Sequence, residues 1–231
     1  MLLLKVNIIR IKIKKSILKI RDTYYYPKIK EYGLTIPEDY KKLFESEQLI
    51  ENFIFDVRKM IVDIQLTPHH EIFKDFDNIV FEGAQGLLLD WDNREYMPHL
   101  TASHTGLKNV EELLKCIDEP YKKEICYVTR TYFTRHGAGK FLTETKQKNL
   151  RYPVQDKTNV FNAWQEHFRW GYFDLPLFVK TIKKDLLLEQ TNKYTLSLSI
   201  THCDETNNNF ILEDKDLPIS EINNYIKVDK I

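Results

Sequence analysis

The stretch "ICYVTRTYFTRHGAGKFLTE", residues 125–144, gives the strongest indication of the fold. Its first ten residues are rich in β-branched and aromatic types, which is typical of a strand. The strand runs directly into the polar, glycine-containing segment "RHGAG", residues 135–139. Ligands of α/β folds gather at the carboxyl ends of strands, so this segment is a candidate binding loop.

Two further stretches have the same organisation. Apolar runs end in polar turns in "NIVFEGAQGLLLDWD", residues 78–92, and in "YTLSLSITHCDE", residues 194–205. Helical patterns lie between the apolar runs, and this alternation predicts an α/β fold with a mainly parallel sheet and flanking helices. The predicted strands are residues 79–81, 125–133 and 196–200.

Several segments predict helices, and one predicts an edge strand. Pro37, followed by two acidic residues, is typical of a helix start. Apolar residues recur at three- and four-residue steps between Ile50 and Ile64, which predicts an amphipathic helix. Residues 110–116 and 174–189 also predict helices. The alternation of isoleucine with arginine and lysine in residues 9–14 predicts an edge strand.

Composition and charge argue against several classes of protein, such as nucleic-acid-binding and membrane proteins. The 231 residues include 34 Lys and Arg and 34 Asp and Glu, so the overall charge gives no reason to expect a nucleic acid or a membrane as partner. Charged residues interrupt the apolar N-terminal run, which therefore fits neither a signal peptide nor a spanning helix. The three cysteines lack metal-type spacing and are expected to be reduced thiols. These features predict a cytoplasmic protein, and the absence of repeats and linkers predicts one domain or part of one.

The histidines and acids show no metal-site pattern. The cluster at residues 69–71 and the pair His99 and His104 match no common ligand spacing. Asp90 and Asp92 are interpreted as acids that flank a helix. The sequence therefore predicts no metal ligands among these residues.

Five segments, in this order along the chain, resemble motifs of the adenylosuccinate synthetase family: "VFEGAQGLLLDWD", "MPHLTASHT", "VTRTYFTRHGAGKFLTE", "FRWGYFDL" and "LSITHCDE". Enzymes of this family use GTP to join L-aspartate to IMP in AMP biosynthesis. The resemblance covers residues 78–206, is weak over residues 1–77 and leaves residues 207–231 as a shortened tail. It implies one partial synthetase domain over residues 1–231, with a P-loop-NTPase-like fold. Residues 158–175 resemble a shorter branch with archaeal and phage members, some of which use dGMP.

The resemblance implies roles for residues in the first two segments. Gln85 matches the glutamine that stabilises negative charge on the purine 6-oxygen, where a neutral amide donates a hydrogen bond without the desolvation cost of a cation. A turn amide bonded to the backbone is the alternative for Gln85, and Glu82 is interpreted as an acid that closes the same turn. Thr101 matches the threonine that helps to hold the nucleotide phosphate.

The next two motifs imply contacts with the ribose and with aspartate. Arg135, His136 and Gly137 match the loop that lies along the ribose, where glycine permits close approach of the backbone. Arg169 is the one arginine that remains of the family's aspartate-binding run. A surface salt bridge, which contributes little stability, is the alternative role for Arg169.

The last motif implies the guanine site of GTP. Thr201, His202 and Asp204 match the segment in which an aspartate accepts hydrogen bonds from the guanine N1–H and 2-amino group. His202 stands where the family has lysine. A solvated acid at the end of a strand is the alternative for Asp204.

The family's phosphate loop has no counterpart in the sequence. That loop, Gly-Asp-Glu-Gly-Lys-Gly-Lys, cradles the GTP phosphates, binds Mg²⁺ and supplies the base that removes the purine N1 proton. The family's first strand, its Gly-His-Thr segment and its interface arginine are not found either. His104 and His136 are candidate substitutes for the base, but neither lies on a motif that would bring GTP to the purine oxygen.

Two hypotheses about function follow from the resemblance. In the first, the chain is part of a ligase that acts with GTP and Mg²⁺ on L-aspartate and on IMP or a related purine nucleotide, either as a homodimer or with a complementing chain that carries the phosphate loop. In the second, it is a non-catalytic remnant that binds a purine nucleotide. Both predict that the chain alone forms no adenylosuccinate.

Overall fold

The computed structural model describes residues 2–64, 67–117, 120–156 and 158–231. The chain divides into two compact units, residues 1–68 and residues 69–231. The assignment of the whole chain to one partial synthetase domain stays a prediction. Among the described residues, no helix is both long enough and apolar enough to cross a membrane.

The first unit is helical. A π-helical turn, Arg21–Tyr25, connects its first helix to its second. The predicted helix start at Pro37 is confirmed, because a helix begins at the next residue. The amphipathic helix predicted between Ile50 and Ile64 is also confirmed, and Ser46 caps it by accepting a 3.3 Å hydrogen bond from the Leu49 N–H. The helices of this unit are α1 (Leu2–Ile20), α2 (Tyr26–Glu31), α3 (Glu38–Glu45) and α4 (Glu47–Asp63).

The edge strand predicted for residues 9–14 was wrong, because these residues lie within α1. Arg10 and Lys14, four residues apart, share one helix face, and both contact Glu51 of α4, at 2.9 and 3.4 Å. Strict alternation over six residues fits a strand, but the same residues also place two cations one helical turn apart. Packing against α4 therefore decided the conformation, and Ile54 of α4 is only 1% exposed.

The second unit contains three α-helices and seven strands in the described residues. The predicted α/β fold with a parallel sheet and flanking helices is confirmed. Helices predicted over residues 110–116 and 174–189 are present with slightly different bounds. The elements are α5 (His69–Asp75), α6 (Lys108–Leu114), α7 (Leu175–Leu186), β1 (Lys123–Arg130), β2 (Phe133–His136), β3 (Glu144–Thr145), β4 (Phe168–Gly171), β5 (Tyr194–Thr201), β6 (Asn209–Ile211) and β7 (Asp216–Pro218).

The parallel sheet is formed by β1 and β5. Their register runs from Lys123 opposite Tyr194 to Arg130 opposite Thr201, so the two carboxyl ends lie side by side. The remaining strands pair antiparallel in the orders β2–β4–β3 and β6–β7. The C-terminal segment continues the sheet beside β5, since the Leu198 N–H donates to the Lys230 carbonyl at 3.0 Å.

The main core lies on one face of the parallel pair. Leu196 and Leu198 of β5 are 5% and 3% exposed, and Ile182 of α7 is 1% exposed. The side chain of Asp174 caps α7 by accepting a 2.8 Å hydrogen bond from the Leu177 N–H. The buried members of the cluster are Ile125, Phe173, Leu175, Ile182, Leu196, Leu198, Phe210, Leu217, Ile222, Ile226 and Val228.

Two of the predicted strands need correction. Residues 79–81 belong to no strand, and Val80 is 91% exposed, because no described strand lies beside them to form a ladder. The strand predicted over residues 125–133 is interrupted after Arg130. There the Thr131 hydroxyl donates to the His202 carbonyl at 3.2 Å, which draws the chain away from the sheet towards the end of β5. The strand predicted over residues 196–200 is confirmed within β5.

Candidate functional site

The Gly-Ala-Gln-Gly turn, residues 83–86, holds Gln85 in an unusual conformation. Gln85 has a φ of 67°, a region that residues with a side chain seldom occupy, and its side chain is exposed. Gly83 lies so close to the next segment that a Cβ there would come within 3.0 Å of the Thr105 carbonyl oxygen. Such backbone strain is often found at functional sites and persists where surrounding contacts maintain it.

The segment of residues 99–105 provides those contacts. The buried Thr105 hydroxyl donates a 3.1 Å hydrogen bond to the Gly86 carbonyl. The Thr101 N–H donates to the Leu89 carbonyl at 2.9 Å, so the backbone of this segment is tied to the chain that follows the turn. Thr101 is half-buried. The structure therefore brings Gln85 and Thr101 onto two directly bonded segments.

Asp90 provides a further tie between these segments. Its Oδ2 accepts a 2.7 Å hydrogen bond from the Thr105 N–H, and its Oδ1 accepts one of 2.8 Å from the Asp92 N–H. Partial burial opposes ionisation of Asp90, but these backbone donors lower the pKa of its carboxyl group. Asp90 thus acts as a structural acceptor, which its interpretation as a helix-flanking acid did not anticipate.

The loop of residues 135–139 lies against the same segment. Arg135 donates 2.7 and 3.1 Å hydrogen bonds to the Ala138 carbonyl and one of 3.0 Å to the His99 carbonyl. Gly137 and Gly139 have φ values of 89° and 109°, which only glycine adopts readily. Burial, together with the nearby Arg169 charge, lowers the pKa of Arg135. The Arg135 side chain is therefore engaged in holding its own loop.

Arg169 of β4 binds this loop from the other side. Its Nη1 donates to the Gly137 and Gly139 carbonyls at 3.0 and 2.9 Å, and its Nε donates to the Glu144 carboxylate at 2.8 Å. The same salt bridge lowers the pKa of Glu144 and raises that of Arg169. The salt bridge considered from the sequence is thus present, and it positions the loop of residues 135–139. Contact of Arg169 with a ligand stays a prediction.

His136 lies at the end of β2, with its ring edge-to-face against Phe168 at 5.8 Å between centroids. Its Nε2 is buried and has no hydrogen-bond partner among the described residues. A buried polar atom of this kind is uncommon, and a ligand or a water molecule is the ordinary way to satisfy it. Its proposed place beside the ribose is compatible with this feature but stays a prediction.

The Thr-His-Cys-Asp turn, residues 201–204, is held separately at the end of β5. The Thr201 hydroxyl donates to the Thr129 carbonyl at 3.2 Å, and His202 Nδ1 lies 2.9 Å from the Thr201 oxygen. His202 has a φ of 63°, and Asp204 is exposed at the start of a short 3-10 turn. Within the described part of the chain, no hydrogen bond joins this turn to Gln85, Thr101 or the loop of residues 135–139.

Sequence reasoning missed Asp185, which supports the site from α7. Its buried carboxylate accepts hydrogen bonds from the Leu107 N–H at 3.1 Å and from the Tyr127 hydroxyl at 2.7 Å. Burial raises the pKa of Asp185. A Cβ at Gly106 would overlap the Asp185 carboxylate. A signal was available, because Asp185 follows Ile182 by three residues and so continues the apolar face of α7.

Comparisons with known proteins agree with the motifs. The family model described as adenylosuccinate synthetase matches residues 5–205. This range includes the helices of the first unit, which carry none of the motifs. The match therefore extends further towards the N-terminus than the resemblance over residues 78–206.

Curated relatives named adenylosuccinate synthetase give the same result. One from Alcanivorax borkumensis is 31% identical over 156 residues, which are 67% of this chain and 35% of the relative. One from Actinobacillus succinogenes is 33% identical over 163 residues, which are 65% of this chain and 34% of the relative. One from Talaromyces marneffei is 34% identical over 120 residues, which are 52% and 26% of the two chains. The chain spans about a third of the length of the first two relatives.

Proposed function

The chain belongs to the adenylosuccinate synthetase family, and from this premise we propose that its residues form the purine-nucleotide site of a cytoplasmic ligase. The proposed ligase uses GTP and Mg²⁺ to join L-aspartate to IMP or a related purine nucleotide. One observation carries the proposal. Direct contacts join the Gly-Ala-Gln-Gly turn, the segment of residues 99–105 and the loop of residues 135–139. Three motifs that are distant in sequence therefore lie next to one another.

The proposed reaction has two steps. The γ-phosphoryl group of GTP is transferred to the purine 6-oxygen and GDP leaves; the amino group of aspartate then attacks the 6-carbon and phosphate leaves. Negative charge develops on the 6-oxygen before the first step, when the purine N1 proton passes to a base, which in the family belongs to the phosphate loop. Gln85 is proposed to donate its amide N–H to that oxygen, and Thr101 to donate its hydroxyl to the nucleotide phosphate.

The remaining predicted residues have proposed positions in the same reaction. Arg135, His136 and Gly137 lie along the ribose, and Arg169 keeps that loop in shape. Thr201, His202 and Asp204 form the guanine site of GTP, in which the Asp204 carboxylate accepts from the base edge. The separate anchoring of residues 201–204 is consistent with two nucleotides in two distinct sites.

The residues present do not fit the triphosphate and Mg²⁺ of this reaction. A phosphate loop needs closely spaced glycines with a lysine at the start of a helix. The seven glycines of the chain stand at positions 33, 83, 86, 106, 137, 139 and 171, and only Gly106 precedes a described helix that begins with a lysine, Lys108. Its nearest neighbours among the glycines are Gly86 and Gly137, so the closely spaced glycines of a phosphate loop are missing there. No step is therefore assigned to a phosphate-loop residue. A homodimer or a complementing chain that supplies these groups is part of the proposal.

Calorimetric titration of the full chain with IMP, dGMP and GTP tests the nucleotide site. We expect a purine monophosphate to bind and Thr101→Ala to weaken its binding about 10- to 100-fold, since a hydrogen bond to a charged group contributes about 1.5–3 kcal/mol. Ser103→Ala is the matched control, because Ser103 is exposed and lies in the same segment. Failure of all three nucleotides to bind at millimolar concentration would contradict the proposal.

Gln85→Ala tests the catalytic assignment. In an assembly that forms adenylosuccinate, we expect turnover to fall about 10²-fold with a smaller effect on IMP affinity, because the amide acts on charge that develops during reaction. Gln155→Ala, at another exposed glutamine, is the control. Equal losses in turnover and affinity would mean that Gln85 only positions the nucleotide.

Nucleotide binding without ligation is the second candidate function. It is favoured by Arg169, whose guanidinium is bonded to Glu144, Gly137 and Gly139 and would have to leave them to grip aspartate. In that case IMP would bind, but added L-aspartate would change neither the affinity nor the heat of binding. A measurable aspartate effect that Arg169→Lys removes would support the ligase instead.

A further inference from the structure

A histidine and two aspartates converge beside the Gly-Ala-Gln-Gly turn. His104 Nδ1 lies 3.3 Å from Asp90 Oδ1 and 3.6 Å from Asp92 Oδ2. All three ligand-type atoms lie within 4.8 Å of one another. The side chains of His104 and Asp90 are 21% and 18% exposed, whereas that of Asp92 is 47% exposed, so the group is half-buried with one open side.

His104 Nδ1 is paired with Asp90 Oδ1 at 3.3 Å, whereas Asp92 Oδ2 is paired with Lys108 at 2.7 Å. Nδ1 carries at most one proton and can donate to only one of the two carboxylates, and both distances exceed an ordinary N–H···O bond of about 2.9 Å. Ligands at about 2.1 Å from a tetrahedral metal ion are about 3.4 Å apart. The separations of 3.3 and 3.6 Å lie on either side of that value. The spacing of these atoms thus suits three ligands of one ion.

The surrounding contacts prepare the three groups for a metal ion. The Thr105 N–H donates to Asp90 Oδ2 at 2.7 Å and the Asp92 N–H donates to Asp90 Oδ1 at 2.8 Å, so the Asp90 carboxylate is fixed with Oδ1 3.3 Å from the imidazole Nδ1. Hydrogen bonds of this kind orient metal ligands in many proteins. Lys108 Nζ lies 2.7 Å from Asp92 Oδ2 and supplies a positive charge there. Its side chain is 47% exposed and can move into solvent when a metal ion takes its place.

His104 departs from the family motif that its segment resembles. The family pattern that "TASHT" resembles is Thr-Ser-Ser-Asn-Thr, so His104 stands where the pattern has asparagine. An imidazole is a far better ligand for first-row transition metals than a carboxamide, and with two carboxylates it favours Mn²⁺, Fe²⁺ or Zn²⁺ over Mg²⁺, which prefers oxygen ligands only.

We propose that Asp90, Asp92 and His104 bind one divalent transition-metal ion, with water at its remaining positions. The ion joins the chain that follows the Gly-Ala-Gln-Gly turn to the segment of residues 99–105. It thereby strengthens the link between the segments of Gln85 and Thr101. The proposal concerns an ion other than the Mg²⁺ that accompanies GTP, and it does not depend on the proposed ligase activity.

Mn²⁺ titration of the chelator-treated full chain, followed by electron paramagnetic resonance, tests the proposal. We expect one bound Mn²⁺ per chain, displaced by Zn²⁺ and not by millimolar Mg²⁺. His104→Asn, which restores the family residue, is expected to weaken binding more than about tenfold, since even residues that only support a ligand contribute 10- to 100-fold. His99→Asn is the matched control, because His99 is exposed and lies outside the cluster.

Lys108→Gln distinguishes a metal site from two aspartates that are only paired with Lys108 and bind no ion. Loss of the competing charge should strengthen Mn²⁺ binding by up to about fivefold, the range of an exposed ion pair. Thermal unfolding of each variant, with and without Mn²⁺, shows whether the variants fold and whether the ion stabilises only chains that contain His104. Absence of Mn²⁺ binding, equal binding by His104→Asn, or equally effective displacement by Mg²⁺ would overturn the proposal.

Discussion

The Gly-Ala-Gln-Gly turn and the Thr-His-Cys-Asp turn are held in place by different means. The second follows β5, whose Leu196 and Leu198 are buried in the main core. The first follows an irregular stretch in which Val80 is 91% exposed. Its position depends on Thr105, which donates to Gly86, and on the close approach of Gly83 to the Thr105 carbonyl.

This difference shows that the turn predicted to bind the purine nucleotide does not need a strand to position it. The strand-borne turn draws its rigidity from buried apolar area, which is non-directional and large. The other turn depends on a few directional contacts, each of which contributes about 1 kcal/mol. Single substitutions in the strands should therefore mainly change the free energy of unfolding. Substitutions at the contacts of the first turn with Thr105 should mainly change the geometry of the site.

The largest effect is expected at the start of β1, where Lys123 lies between Glu111 and Glu189 at 2.7 and 2.6 Å. Although burial opposes it, the two carboxylates raise the pKa of Lys123. Lys123→Met leaves both acids buried without a counter-charge and should lower the free energy of unfolding by about 3–5 kcal/mol. Urea unfolding measures this. Lys122→Met, at an exposed neighbour, is the control, and equal losses would mean that the ion pairs contribute nothing specific.

Truncation in the two apolar stretches compares the turns directly. Leu198→Ala should lower the free energy of unfolding by about 2–5 kcal/mol, because the side chain is 3% exposed and its loss leaves a cavity. Val80→Ala, in the stretch before the other turn, should change it by less than about 0.5 kcal/mol. Similar losses in urea unfolding would show that residues 79–81 are buried in solution and that the two turns are supported alike.

Low pH should reduce the free energy of unfolding through Glu189, which pairs with Lys123 at the start of β1. Burial opposes its ionisation, but Lys123 and the donors of Thr191 and Asn192 lower its pKa from the ordinary 4.5 to about 2. Because the folded pKa is the lower one, Glu189 stabilises the fold above pH 4.5, and about 3 kcal/mol is lost as the pH falls towards 2. Glu189→Gln should flatten the unfolding free energy over this range. An unchanged pH profile would contradict the assignment.

A smaller effect on the free energy of unfolding is expected beside the contacts that hold the first turn. Gly106→Ala would force a Cβ against the buried Asp185 carboxylate and should cost about 1–3 kcal/mol, as other overpacked sites do. Gly86→Ala is the matched control, because a Cβ there meets nothing within 4 Å and the residue has a negative φ of −115°. Thermal unfolding compares the two. A larger loss of stability in Gly86→Ala than in Gly106→Ala would contradict this account of how the first turn is held.

The fold class and most helices could be predicted because they depend on local patterns. Pro37, the repeat of apolar residues in α4 and the alternation in β5 each act within a few neighbouring residues. Residues 9–14 and 79–81 were mispredicted because their patterns are short and fit two conformations. For them the deciding factor was a partner: Glu51 of α4 in one case and the absence of a neighbouring described strand in the other.

Family membership and the order of the motifs were determined by the sequence itself, because both depend only on which residues follow one another. Tertiary structure alone decided how those residues are used. Arg169 is bound to Glu144 and to the loop carbonyls, which the motif that contains it does not specify. His104 meets Asp90 and Asp92 only after the chain has turned back on itself. Contacts between residues distant in sequence depend on the path of the backbone, and no local pattern encodes that path.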